Sequence, residues 1–447
     1  MKFIDLVSKY DLPVPRYTSY PTVPCWTGLT DTDEWLKSLD SALKTNSHYA
    51  MYIHLPFCES LCTFCGCNTV ITKKHEREDG YLDCIEKELS MYRDSVPLLK
   101  QTAPTKIHLG GGSPTFFSPK NLERLLIMIF GQDMTRPLDF EGAVEVDPRR
   151  CTYEQLDVLR KYGFQRISLG VQDFCPEVQE IVNRVQSYEL TENVVQMARK
   201  LGYYSINFDL IYGLPKQTRS SMQESIRKVI QLKPDRIAFY SFAVVPWIKP
   251  GQKSFEEFLP TSLEKRQLFE VGREMFLEAG YVEIGMDHFA LPTDSLTTAM
   301  NEGRLHRNFM GYTEDSSSVL IGLGLSAISE TPDCYHQNNK TLDGYKKLIG
   351  ENKIPTFHGH KLTEEDKLIR SQILTFMTKF TVPILPWQKQ MLTSELAEMI
   401  DDQLVEIKSD NLTLLPKGKP FLRNACVAFD MRLKNLSQKE NVFSKAV

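Results

Sequence analysis

The sequence predicts an α/β protein built as an open or partial (β/α) barrel, and three observations carry that expectation. Short β-rich runs recur through the first two thirds of the chain: "YAMYIHL" (49–55), "KIHLGG" (106–111), "AVEVDP" (143–148), "RISLGVQ" (166–172), "SINFDLIYG" (205–213) and "RIAFYSF" (236–242). Segments of helical spacing separate them, and strand–helix alternation repeated six times reads as a parallel sheet. Several of the runs end in Gly, Asp or Gln, at the edge where α/β barrels build their sites. A flat, doubly wound sheet is the alternative that periodicity leaves open.

The elements follow in order. The N-terminal "MKFIDLVSKYDLP" breaks its one apolar stretch with Asp5, so it does not read as a signal peptide; residues 1–31 are expected to form an arm. "GYLDCIEKELSMYRDSVPLL" places Leu82, Ile85, Leu89 and Tyr92 on one helical face. "TYEQLDVLRKYG" opens with Thr152 as a cap and closes at Gly163, and "TRSSMQESIRKVIQLKP" stops at Pro234. These belong to an expected catalytic domain over 32–362. Beyond it, "TEEDKLIRSQILTFMTKF" and "SELAEMIDDQLVEI" read as amphipathic helices, and "LVEIKSDNLTLLPKG" as a hairpin around Asp410–Asn411. Residues 363–447 are therefore expected to form a mostly helical, winged-helix-like accessory domain.

Composition narrows the function. The 447 residues exceed the roughly 250–300 at which one core stops growing. A net charge of -4 gives no global field that would draw nucleic acid or anionic lipid, so an anionic ligand needs a local basic pocket. No apolar run approaches the roughly 18 residues of a membrane span. A cytoplasmic monomer is the expectation, and in that reducing compartment clustered cysteines point to metal or redox chemistry. The scattered Cys25, Cys84, Cys151, Cys175, Cys334 and Cys426 read as small buried hydrophobes.

The cluster is "HLPFCESLCTFCGCN", with Cys58, Cys62, Cys65 and Cys67 inside ten positions. A structural zinc site would need a fourth ligand, and Cys67 lies only two residues beyond Cys65, which crowds one tetrahedral ion. An iron–sulfur cubane accepts short spacings. Three thiolates on four irons leave one iron open, and an open position is what makes a metal site catalytic.

The C-x3-C-x2-C spacing after the first strand, with Phe64 before its last cysteine and "HLGGGSPT" on the next strand, resembles the radical S-adenosylmethionine (SAM) enzymes. "PRYTSYPT" precedes the cysteine run, and "GGGSPT", "EVDPR", "GVQDF", "VNRVQ", "NFDLIYGLPKQT", "GMDHFA", "LHRNF" and "GLGLSAIS" follow it in order. From about residue 11 to the C-terminus the chain is similar to the oxygen-independent coproporphyrinogen III oxidase (coproporphyrinogen dehydrogenase) family. That resemblance implies a partial (β/α)6 radical SAM barrel, a [4Fe–4S] cluster and two SAM sites. It implies decarboxylation of two propionates of coproporphyrinogen III to vinyl groups, giving protoporphyrinogen IX in haem biosynthesis. A C–H bond β to a carboxylate is too weakly acidic for any side chain to deprotonate, so a cofactor radical is needed. A flavodoxin- or ferredoxin-type one-electron donor is implied as partner, with no nucleic acid and no membrane span.

Roles carry over position by position. Cys58, Cys62 and Cys65 match the cluster ligands. Tyr52, Phe64, Gly111, Glu145 and Ile328 match contacts of a first SAM, with Glu145, Tyr52 and Phe309 nearest the chemistry. Gly112, Ser113, Gln172, Arg184, Asp209 and Ala243 match a second SAM site. Arg184 suits a SAM carboxylate, and Asp209 can accept from hydroxyls or an amine. The four propionates call for cations, and Arg16 and Arg307 are the candidates. Cys67, retained in the family, would shape the ligand loop or tune the cluster. Singly, Tyr52 and Phe64 read equally as core aromatics, Asp209 as a turn cap, and Arg184 as a solvated helix residue. Two positions depart from the family pattern: Met310 stands where Gln is usual, and Val244 where His is usual. They keep an anaerobic haem-ring-opening methyltransferase in view as an alternative, alongside a haem-binding chaperone.

Overall fold

The computed structural model describes residues 3–26, 28, 31–133, 136–314, 317–435 and 443–446. Six strands form its centre: β1 (Ala50–Leu55), β2 (Lys106–Gly111), β3 (Glu141–Val146), β4 (Phe164–Gln172), β5 (Ser205–Tyr212) and β6 (Arg236–Ser241). They pair in parallel and in chain order, so each crossover advances the sheet by one strand in one direction. Beyond β1 lies Leu320–Leu323, also parallel, then three antiparallel strands; beyond β6 lie His288–Ala290 and Val282–Ile284, antiparallel.

Side-chain alternation decides between barrel and flat sheet. On β3, Val144 and Val146 join the main core; on β5, Ile206, Phe208 and Leu210 do; on β6, Ile237 and Phe239. They meet Leu82, Ile85, Leu125, Leu156, Val194, Ile226 and Phe276 from the connecting helices. The opposite face carries Glu145, Asn207, Asp209 and Tyr240, which line a cavity. A doubly wound sheet would bury both faces against helices and be apolar on both. One helix-covered face and one polar concave face is the partial (β/α)6 arrangement.

The helix expected at "TYEQLDVLRKYG" spans Tyr153–Lys161, with Thr152 and Gln155 closing a reciprocal capping box. The C-terminal region differs from expectation at two points. In place of one helix over "SELAEMIDDQLVEI", two short helices, Pro386–Glu395 and Ala397–Asp401, precede a strand, Val405–Lys408. That strand pairs with Asn411–Leu414, which also pairs with Thr381–Pro383. The hairpin turn is Ser409–Asp410, one residue earlier than expected, because those two residues hold φ of 48° and 61°. A two-residue type I′ turn, whose twist matches that of the strands, holds positive φ at both centres, and Asn411 is already paired.

The two chain ends pack together. Leu6, Val7, Tyr10, Val14, Tyr17 and Tyr20 share one core with Ile369, Phe376, Leu404, Phe421 and Phe429. Arg423 Nε donates to Pro15 O at 2.9 Å, Tyr17 OH to Asp430 at 3.1 Å, and Ala446 N to Leu12 O at 2.9 Å. Among the described residues no helix is long and apolar enough to cross a membrane.

Candidate active site

β1 runs directly into the cysteine loop. Phe57–Cys58 pairs in parallel with Val70–Ile71, closing the residues between them into a loop. Cys65 N donates to Cys62 O at 3.0 Å, which tightens its middle. All four thiols of the loop line a cavity of about 600 Å³ on the inner face of the sheet. Among the described residues no three His, Cys, Asp or Glu converge as around one ion; a cubane takes each thiolate on a different iron and needs no such convergence.

Guanidinium groups flank the loop. Arg149 Nη2 and Arg184 Nη1 each lie 3.6 Å from Cys62 Sγ. Asp147 holds Arg149 through contacts of 2.7 and 2.9 Å, and Arg184 Nη2 donates to Gly170 O at 2.5 Å. These cations place positive charge where thiolate ligands gather negative charge. Arg184 Nε is buried without a partner. Three thiols beside two guanidiniums, one with an unused donor, fit a cluster together with a ligand that carries a carboxylate. Burial pushes the Cys58 thiol up to about 12, with the neighbouring Cys65 adding to it, so metal must displace its proton. The hydrogen bond between Cys67 and Cys65 lowers Cys65 and raises Cys67, so Cys67 keeps its proton and donates. Lys249 Nζ donates to Cys67 O at 3.0 Å and ties the loop's far side.

The glycine run answers first to its protein neighbours. A methyl on Gly110 would meet Glu145 Oε1 at 2.8 Å and the Tyr52 ring at 3.0 Å, and one on Gly111, at φ +116°, would meet the His54 ring at 2.8 Å. His54 Nε2 donates to Asn68 O at 2.8 Å, which leaves Nδ1 to accept from Tyr52 OH at 3.1 Å. Glu145 accepts from His108 Nε2 and from Gly111 N, each at 3.1 Å. Burial opposes ionisation of Glu145, but the His108 contacts and Gly111 outweigh it and hold the carboxyl below its usual range. Further round the sheet, Asp209 accepts from Ser168 Oγ at 2.8 Å and from Asn207 Nδ2 at 2.9 Å, yet burial pushes it up to about 6. Tyr240 and His288 close the belt, with His288 Nδ1 2.5 Å from Asp287.

Most of the residues expected from sequence meet here. Phe64, Gly111, Gly112, Ser113, Glu145, Gln172, Arg184, Asp209, Ala243 and Arg16 line the cavity with the cysteines, as does Met310. Tyr52 lies beside the lining, stacked on His108 at 5.8 Å between ring centroids. Phe309 and Ile328 lie elsewhere, packed against the Trp26–Tyr335 stack, and Arg307 is buried behind Tyr312. Sequence reasoning missed His108, Asp147, Arg149, Ser168, Asn207 and the Asp287–His288 pair. For Ser168 and Asn207 the signal is polar residues at every second position, as in "RISLGVQ" and "SINFDLIY".

The Radical SAM superfamily model matches residues 52–229, from β1 through the cysteine loop to the helix after β5. The oxygen-independent coproporphyrinogen III oxidase of Escherichia coli (strain K12) is 36% identical, with 99% of this chain and 98% of that protein aligned. The chain belongs to the oxygen-independent coproporphyrinogen III oxidase family. The Synechocystis relative of that name is 35% identical over 99% of this chain. A solved Escherichia coli coproporphyrinogen III oxidase, described as a radical SAM enzyme, superposes with a TM-score of 0.88 at 35% identity, covering 96% of this chain and 98% of that one. Likeness to this oxidase family thus extends through the N-terminal arm and the C-terminal region. Membership of the radical SAM superfamily brings with it a [4Fe–4S] cluster and SAM.

Proposed function

We propose that this chain is an oxygen-independent coproporphyrinogen III oxidase. It decarboxylates two propionates of coproporphyrinogen III to vinyl groups and yields protoporphyrinogen IX for haem biosynthesis. The observation that carries the proposal is full-length likeness to that family, together with three thiols, two guanidiniums and a buried carboxylate belt around one cavity. When bound, the reduced cluster and SAM supply a 5′-deoxyadenosyl radical able to take hydrogen from the propionate carbon. Each vinyl group then forms with loss of carbon dioxide and transfer of one electron to a one-electron acceptor.

The chain's own residues hold and orient the parts. Cys58, Cys62 and Cys65 would hold the cluster. Glu145, kept ionised by His108 and Gly111, stands where it can accept from an ammonium or ribose hydroxyl of the first SAM, beside Tyr52 and Phe64. Ile328 and Phe309 would act on that region only indirectly, through the Trp26–Tyr335 stack that both pack against. Gly112, Ser113, Gln172, Arg184, Asp209 and Ala243 form one continuous lining, which supports a second SAM site. Arg184 offers its free Nε there, and Asp209 accepts a donor. Residues 32–362 carry most of this site, Arg16 reaches it from the N-terminal arm, and Leu6 to Tyr20 share a core with described residues of 363–447. A flavodoxin- or ferredoxin-type donor supplying electrons to a cytoplasmic monomer completes the proposal.

The test is anaerobic reconstitution followed by incubation with SAM, a reductant and either coproporphyrinogen III or haem. Vinyl products support the proposal. Opened or methylated haem points to a ring-opening methyltransferase, and tight haem binding without turnover to a chaperone; either contradicts it. Cys62→Ala is expected to lower iron and sulfide per chain.

A further inference from the structure

We infer that Arg16 in the cavity lining, backed by Arg307 behind Tyr312, forms a holding site for a substrate carboxylate other than the one that reacts, completed by both ends of the chain. The inference rests on the reading of the chain as a coproporphyrinogen oxidase. Arg307 sits on the short strand His306–Asn308, opposite Tyr312 in the register. Its guanidinium lies 4.5 Å from the centroid of the Tyr312 ring. The residue is 3% exposed, and its Nε and Nη1 have no hydrogen-bond partner. A guanidinium stays charged in any protein setting, and a buried charge without a counter-ion is strongly unfavourable.

Arg16 arrives from the N-terminal arm. Its Nη2 donates to Ser241 O at 2.7 Å, at the end of β6, and the residue lines the cavity. Among the described residues neither guanidinium forms an ion pair. The carboxylate whose charge both influence, Asp287, already takes His288 at 2.5 Å. Tyr240, which lines the cavity, feels both cations. Two more cations stand at the same junction, hydrogen-bonded to backbone carbonyls, with the Asp11 carboxylate facing Lys265. Lys265 donates to Phe242 O at 3.0 Å, and Arg423 donates to Pro15, Val14, Lys445 and Ala446. Burial lowers Lys265 to about 8 and Arg423 to about 9, and Arg16 adds repulsion to both. Four cations, Arg16, Lys265, Arg307 and Arg423, thus face three carboxylates there, Asp11, Asp287 and Asp430.

A carboxylate is the anion that the cavity's substrate brings. It carries four, of which two react. The reacting one belongs near the cysteine loop and Glu145 on β3. Tyr240 and Ser241 stand three strand steps away on β6, ~14 Å measured along the sheet. A tetrapyrrole bridging that gap sets one carboxylate at the reaction end and another at the arginines. The planar fork of Arg16 suits a carboxylate edge, and Arg307 adds its charge from behind Tyr312. Arg423 is a positioning residue: by gripping Val14 O and Pro15 O it fixes where Arg16 points.

The test uses the reconstituted full-length holoprotein and Arg307→Leu, Arg307→Lys and Arg16→Gln. The probe is coproporphyrin III, the oxidised and unreactive analogue, beside its tetramethyl ester. Loss of one charge-assisted contact is expected to weaken coproporphyrin III binding ~10- to 100-fold in Arg307→Leu and Arg16→Gln. Arg307→Lys should recover part of that loss, the ester should bind all proteins alike, and KM for coproporphyrinogen III should rise more than kcat falls. Unchanged coproporphyrin III binding in both variants overturns the inference, as does an equal loss for acid and ester, which would mean lost packing. If Arg307→Leu fails to fold, Arg16→Gln, at a half-buried position, decides alone. Failure of the functional reading looks different: the wild type would then not convert coproporphyrinogen III at all.

Discussion

Gly112→Ala tests how the glycine run supports the cysteine loop. A methyl on Gly112 would sit 2.6 Å from the Pro56 carbonyl carbon and 2.9 Å from Phe57 O, and closer still to Pro56 O. Ordinary contacts begin near 3.4 Å, so the gap must open by roughly 1 Å. Both sides are backbone, so no rotamer change can relieve the contact. Gly112 N donates to Leu55 O at 2.9 Å and Ser113 N to Phe57 O at 3.0 Å, so the shift also strains the bonds that hold β1 where it enters the loop. Overpacking of this kind costs about 1–3 kcal/mol. The displaced segment ends at Cys58, and a ligand misplaced by ~1 Å can cost ~100-fold in rate. Expected are a lower melting temperature, less iron per reconstituted chain and slower formation of 5′-deoxyadenosine. Gly80→Ala is the control, because nothing lies within 4 Å of the added carbon in the helix Arg77–Ser95. Wild-type iron content, melting temperature and rate in Gly112→Ala would refute the reasoning.

Three further outcomes follow from the same geometry. Glu145→Gln removes the charge that His108 and Gly111 hold in place; SAM cleavage, measured as 5′-deoxyadenosine, should fall ~100-fold or more while iron content stays unchanged. Asp209→Asn keeps the shape of the second proposed SAM region but not its acceptor; chromatography of the products should show the monovinyl, three-propionate intermediate accumulating. Glu88 is fully buried beneath Tyr345, Gly324 and Asn338, and burial pushes it up to about 7 from 4.5. Its folded value lies above its unfolded one, so its contribution is full at low pH and is lost as pH rises through about 7. Relative to the wild type, Glu88→Gln should gain roughly 3 kcal/mol between pH 5 and pH 8, read from melting temperatures across that range.

Much of the barrel was legible because its strands alternate against helices that bury one face, and because a cysteine spacing is a local signal. "SINFDLIY" shows both: its apolar positions mark the strand, and its polar ones, of which the family match singles out Asp209 alone, mark the cavity wall. His108 and Asp287–His288 were not legible, because sheet register and not sequence spacing brings them to Glu145 and Tyr240. The junction of the two chain ends was hidden for a similar reason. Tyr17 and Asp430 meet across 413 positions, and no period connects them. The Ser409–Asp410 turn lay one residue from the expected place because either dipeptide tolerates positive φ and only pairing chooses. Phe309 and Ile328 matched the family's pattern as contacts, while their side chains here fill the aromatic stack beside the cavity.

The most direct test of the radical account is a label transfer. Coproporphyrinogen III deuterated at the β-carbons of its propionates is incubated anaerobically with the reduced, reconstituted protein and SAM, and the 5′-deoxyadenosine is weighed by mass spectrometry. The account requires one deuterium in each 5′-deoxyadenosine, matched by one carbon dioxide and one vinyl group. Unlabelled 5′-deoxyadenosine alongside vinyl product, or vinyl product with no 5′-deoxyadenosine at all, would contradict it.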